Sequence, residues 1–80
     1  MNKLQKIVEA YPEASFVKAD GFDDAVVGVC VTTLRLIYSM QKCIQILKNE
    51  MSHDEAVEYF WHNLEGFKTD MGEPIWIEEF

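Results

Sequence analysis

The apolar positions of this chain change period along its length, and each change marks an element. Leu4, Ile7, Val8 and Tyr11 fall at the i, i+3, i+4, i+7 spacing of one helical face. That predicts a short helix from Asn2 to about Glu9. Pro12 ends it, because the residue before a proline is pushed out of the helical region. Ser15–Lys18 reads as a short strand. Asp20-Gly21-Phe22-Asp23-Asp24 reads as a turn in which Gly21 is free to take a positive φ. Ala25–Val31 is almost wholly apolar and rich in β-branched residues, the pattern of a central strand covered on both faces. Gly28 inside it marks a bulge or the close approach of a helix. Leu34–Tyr38 is the next strand. Thr32-Thr33 is poor chemistry for a tight two-residue turn, so either the turn is wider or one bent strand runs through. A hairpin is the favoured reading.

From Ser39 the period becomes helical. Ser39 is placed to cap a helix whose inward stripe is Met40, Cys43, Ile44 and Leu47, with Lys42 and Lys48 outward. Asn49 suits the left-handed conformation that stops a helix. Ser52-His53-Asp54-Glu55 matches a capping box, in which the serine oxygen accepts a free backbone N–H and the glutamate reaches back. The helix it opens is expected to run to about Gly66. Its buried stripe is Ala56, Val57, Phe60, Leu64 and Phe67, and Glu55, Glu58, His62 and Glu65 lie on the other face. Gly72-Glu73-Pro74 is a loop and Ile75-Trp76-Ile77 a last strand. The order helix, strands, two helices, strand defines an α+β domain. It is expected to have a small, mostly antiparallel sheet of three to four strands, with two to three helices packed on one face. Residues 1–80 form a single domain, with no repeat or linker.

Composition narrows the function classes. The chain has 80 residues, 49% apolar and 26% charged, which is globular rather than disordered. Fourteen acids against seven bases give a net charge of −7. Direct nucleic-acid binding and attachment to anionic membranes both want the opposite sign. The charge is also uneven. Residues 1–49 hold six bases and five acids, whereas residues 50–80 hold nine acids, one base (Lys68) and six of the ten aromatics. The longest uncharged run, between Asp24 and Arg35, is too short to span a bilayer. The first residues lack the apolar core of a signal peptide. Cys30 and Cys43 read as buried thiols in a reducing compartment, so a cytoplasmic location is expected.

Candidate chemistry is sparse. No glycine-rich phosphate loop and no nucleophile elbow is present, and Ser52 is accounted for as a cap. Glu58 and His62 are one helical turn apart, but a zinc site wants about four ligands and no second motif supplies them. A solvated i, i+4 pair is the simpler account. Cys43 beside His62 would be an activated thiol only if exposed. Asp23 and Asp24 suit a turn, or less simply an acid–base pair. No cofactor and no metal site is expected. Trp61 flanks the core stripe, and Trp76 and Phe80 lie in the acidic segment. Such aromatics either cover a small core or anchor a protein interface.

Residues 21–80 carry a resemblance. The string Gly21-Phe22-Asp23-Asp24-Ala25-Val26-Val27-Gly28-Val29, then Leu36-Ile37-Tyr38-Ser39, then Met51–Phe60 with Asn63, Gly66 and Gly72-Glu73-Pro74-Ile75, resembles a group of small uncharacterised phage and prophage proteins. In that group the turn between the two strands is longer, so Val31–Leu34 departs from the pattern. The resemblance implies a phage-type accessory protein at work in a bacterial host cytoplasm. Two functions compete. The first is a non-enzymatic acidic protein that docks on a basic, nucleic-acid-handling host protein and presents charge where phosphates would lie. An inhibitor of a host defence nuclease or CRISPR complex is one form of it. Its candidate residues are Glu55, Glu58, Glu65, Glu78 and Glu79, with Trp61 and Trp76 as anchors. The second is a small metal-dependent enzyme or hydrolase using Asp23, Asp24 and His62. An exposed strand edge would also let the chain pair as a homodimer.

Overall fold

A computed structural model describes residues 2–64 and 72–80. Helix α1 spans Lys3–Ala10 and opens where the Asn2 side chain accepts the Gln5 N–H at 2.9 Å. Tyr11 closes it directly before Pro12, as expected. Of its predicted stripe Leu4 is buried and Ile7 half-buried, but Val8 is exposed, because only the inner edge of this helix meets the β1 side of the domain.

Strand β1 (Val26–Val29) and strand β2 (Leu36–Ser39) form an antiparallel hairpin, and β3 (Ile75–Ile77) lies parallel on the far side of β2. The domain is therefore α+β with a three-stranded mixed sheet in the order β1-β2-β3. The central strand is β2, not the apolar run 25–31. That run is an edge: Val26 is buried, while Val27 and Val29 are half-buried and Val31 exposed. Apolar content in a short strand reports a covered surface and does not choose the strand's neighbours. The register slips between Val26 and Gly28, an irregularity that fits the bulge reading of Gly28. Among the described residues close packing is not the reason for that glycine, since an added Cβ would meet none of them within 4 Å.

The hairpin turn is wide. The Leu34 N–H donates to the Cys30 carbonyl at 2.7 Å and the Cys30 N–H to the Arg35 carbonyl at 2.9 Å, with Leu34 at φ 56°. Ser15–Lys18 is irregular rather than a strand, and among the described residues no strand pairs with it. The segment is fastened instead where the Ala19 N–H donates to the Tyr38 hydroxyl at 2.9 Å. Gly21 takes φ 89° and leads into a 3-10 turn over Asp23–Ala25.

Helix α2 (Met40–Leu47) begins at Ser39, whose hydroxyl accepts the Lys42 N–H at 3.3 Å. Cys43, Ile44 and Leu47 are buried as the stripe requires. Asn49 does not adopt the left-handed conformation. The helix tightens instead, the Asn49 N–H donating to Ile46 and the Glu50 N–H to Leu47. Helix α3 (His53–Tyr59) opens on the predicted capping box, with both reciprocal bonds present between Ser52 and Glu55. It continues as a π-helical turn over Phe60–Leu64. Phe60 and Leu64 are buried, and the three residues between them are exposed. Glu65, Gly66 and Phe67 lie outside the described residues.

Tyr38 sits at the centre. It pairs with Val26 on one side and Trp76 on the other, is fully buried, and packs its ring 5.1 Å from that of Trp76. Phe60 packs in turn on Trp76 at 5.6 Å. This row of rings joins the sheet to the π-helical turn, so the last strand and the last helical segment share one core.

Candidate functional site

Two surface features gather the candidate residues, and they lie on different faces of the α3 helix and its π-helical extension. The first is a shallow groove of about 300 Å³ lined by Met51, Glu55, Glu58, Tyr59, His62 and Asn63. Its carboxylates are exposed because residues 55, 58, 59 and 62 recur at three and four positions along the helix, opposite the buried Ala56 and Phe60. Glu55 belongs to the capping box and stands in the first turn, where the helix dipole favours negative charge.

The second feature is a cleft of about 270 Å³ bounded by Met40, Phe60, Trp61, Trp76, Ile77 and Glu78. Phe60 forms its base and is 1% exposed. The rings of Trp61 and Trp76 stand at 86° and 87° to that of Phe60, with centroids 5.4 and 5.6 Å away. Edge-to-face contacts of this kind match the positive ring edge to the negative ring face and add stability beyond burial. Trp61 is 53% exposed although it is the largest side-chain type, whereas Trp76 is half-buried. The Trp76 indole N–H is buried and has no acceptor among the described residues. The C-terminal wall is fixed by Gln41 of α2. Its side-chain carbonyl accepts the Glu79 N–H at 2.9 Å, and its amide donates to the Glu79 carbonyl. Gln41 carried no sequence signal for this role, since its partner lies 38 residues away.

The predicted binding residues therefore divide. Trp61, Trp76 and Glu78 meet in the cleft, while Glu55 and Glu58 meet with His62 in the groove. Glu79 is exposed and held through its backbone, and Glu65 lies outside the described residues. Met40 and Ile77 complete the cleft. Met40 was legible as a helix-stripe residue, but its contact with the last strand depends on the parallel pairing.

The residues of the catalytic alternative do not gather. Asp23 and Asp24 are exposed at the start of the 3-10 turn before β1, and His62 faces the groove. Among the described residues no group of three or more His, Cys, Asp or Glu side chains could hold a metal ion. Cys43 is fully buried, and burial alone pushes its thiol up to about 12, so it stays protonated at neutral pH. Cys30 is half-buried in the hairpin turn, and its thiol lies below the usual value, chiefly through Thr33. Burial also raises the Tyr38 hydroxyl, and Asp23 and Asp20 add to the shift while the bond from Ala19 opposes it. Among the described residues no helix is long and apolar enough to cross a membrane.

No family model, no curated protein and no solved structure matches this chain.

Proposed function

We propose that this chain is a small, non-enzymatic, acidic accessory protein of phage type that acts in a bacterial cytoplasm by docking on a basic host protein. A nucleic-acid-handling protein of a host defence complex is the partner class that best fits the charge. The observation that carries the reading is the pairing of an exposed tryptophan with carboxylates, two on its own helical segment and one on the cleft wall opposite. Trp61 and Glu78 share the aromatic cleft, and Glu55 and Glu58 stand exposed on the helix that leads into it. Aromatic residues are enriched at the centre of protein interfaces. A carboxylate array steers a basic partner toward them and sets the orientation of encounter. The net charge of −7 disfavours nucleic acid itself as the ligand.

Affinity capture from bacterial cytoplasm tests the reading. The full chain is compared with a variant carrying glutamine at Glu55, Glu58, Glu78 and Glu79. Enrichment of a basic, nucleic-acid-handling protein by the parent chain is expected, weakening as salt rises and lost with the variant. Recovery of no such protein, or equal recovery by both chains at every salt concentration, overturns it.

A further inference from the structure

We infer that the cleft between Phe60, Trp61, Trp76 and Glu78 is a cation box that receives a single arginine side chain of the partner. The inference deepens the docking reading and rests on it. Its first ground is ring geometry. Two indoles pack edge-to-face with one buried phenyl ring at 5.4 and 5.6 Å, and all three rings line the cleft. The indole face is the most negative of the side-chain rings and attracts a cation within about 6 Å of its centroid. The second ground is charge. Glu78 is exposed and lines the same cleft, so a full negative charge adds to the ring fields there.

Size and lining choose the guest. About 270 Å³ gives room for one side chain. The rest of the lining, Met40 and Ile77, is apolar and offers no replacement for lost water. A lysine ammonium is a strongly hydrated point charge. A guanidinium is weakly hydrated and planar, so it stacks on indole while its fork donates to a carboxylate. The cleft thus favours arginine over lysine, and both over an uncharged isostere.

The test follows the indole N–H signals of the two tryptophans by NMR in the full chain. The titrants are an arginine-containing peptide, the same peptide with citrulline, and the same peptide with lysine. Arginine is expected to move both indole signals, with citrulline binding about tenfold weaker for want of the charge. Trp61→Ala should weaken the arginine peptide about fivefold and Trp61→Phe much less, since a phenyl face remains. Glu78→Gln should weaken it about threefold. Equal binding of arginine and citrulline overturns the inference, and so does an arginine titration that leaves the indoles unmoved. If shifts appear only at Glu55 and Glu58 and survive Trp61→Ala, the cation box falls and the docking reading stands. If no signal moves anywhere, both fall.

Discussion

The acidic groove and the aromatic cleft share one helical segment, α3 with its π-helical extension, yet differ in construction and in range. Glu55 and Glu58 are exposed, so their field reaches into solvent and decays over a Debye length of about 8 Å at physiological salt. Trp61 and Trp76 act only at contact, where water has been displaced. The groove is built locally: a serine cap and a helical period place its carboxylates. The cleft is built from three distant pieces, namely Met40 on α2, Phe60 and Trp61 on the π-helical turn, and Trp76, Ile77 and Glu78 at the last strand. Under the proposed docking, steering and anchoring are therefore separable, and substitutions should separate them.

The largest effect should come from the residue that holds the cleft together. Phe60 is 1% exposed, touches both indoles and lies in the core that also buries Tyr38. Phe60→Ala removes a buried ring and leaves a cavity, at a cost of about 3–5 kcal/mol. Small domains are stable by roughly 5–15 kcal/mol in total, so the variant should be at the edge of folding. Urea unfolding followed by far-UV circular dichroism measures it. A loss below about 1 kcal/mol would show that the cleft does not depend on the common core.

The same contrast explains which parts of the molecule were legible in the sequence. Ser52 and Glu55 announce α3 because a capping box is written within four residues, and Ser39 announces α2 in the same way. Gly28 pointed to a bulge or to close packing, and the register shift beside it fits the first, a feature of the local backbone. The groove carboxylates followed from helical period alone. The cleft was legible only as a list of suspects. Joining Trp76 to Trp61 requires β3 to run parallel to β2, a pairing across 38 residues that no local pattern encodes. The same lack of long-range information made the apolar run 25–31 look central and Ser15–Lys18 look like a strand. The π-helical turn over Phe60–Leu64 has no composition signal either, because Phe60 and Leu64 fit an α-helical stripe equally well.

The next effect is pH-dependent and probes the core beneath the cleft. Cys43 has an ordinary thiol value of 9.0 when unfolded and about 12 when folded, raised by burial. Between those values the unfolded chain has released a proton that the folded chain keeps, so stability falls as pH rises. The contribution is intact below about pH 9 and is lost progressively toward about 12. Tyr38, also raised, adds a loss of the same sign above its ordinary value of 10.0. Urea midpoints collected from neutral to alkaline pH should decline through this window. Cys43→Ala should be less stable at neutral pH but decline less steeply, leaving the part of the Tyr38 share that does not depend on the Cys43 charge, which Tyr38→Phe removes. An alkaline profile as steep in Cys43→Ala as in the parent would sink the assignment.

The smallest effect on stability should come with a large effect on encounter, and this pair of outcomes isolates the groove. Glu55→Gln keeps a side chain able to accept the Ser52 N–H, so the capping box survives. Glu58 is exposed beside His62, and an i, i+4 pair there contributes only a few tenths of a kcal/mol. The double variant should therefore unfold within about 0.5 kcal/mol of the parent. Its association rate with a polyarginine peptide should nevertheless be lower at low salt and less sensitive to added salt, because two steering charges are gone. Trp61→Ala should do the reverse, leaving the rate and its salt dependence nearly unchanged while speeding dissociation, as the loss of a contact-range anchor does. Stopped-flow fluorescence of Trp76 in the Trp61→Ala background, and of both tryptophans otherwise, reads the two rates. If the double glutamine variant keeps the parent's salt slope, the groove does not steer. If it changes the dissociation rate as strongly as Trp61→Ala does, groove and cleft act as one contact surface rather than as a separate field and anchor.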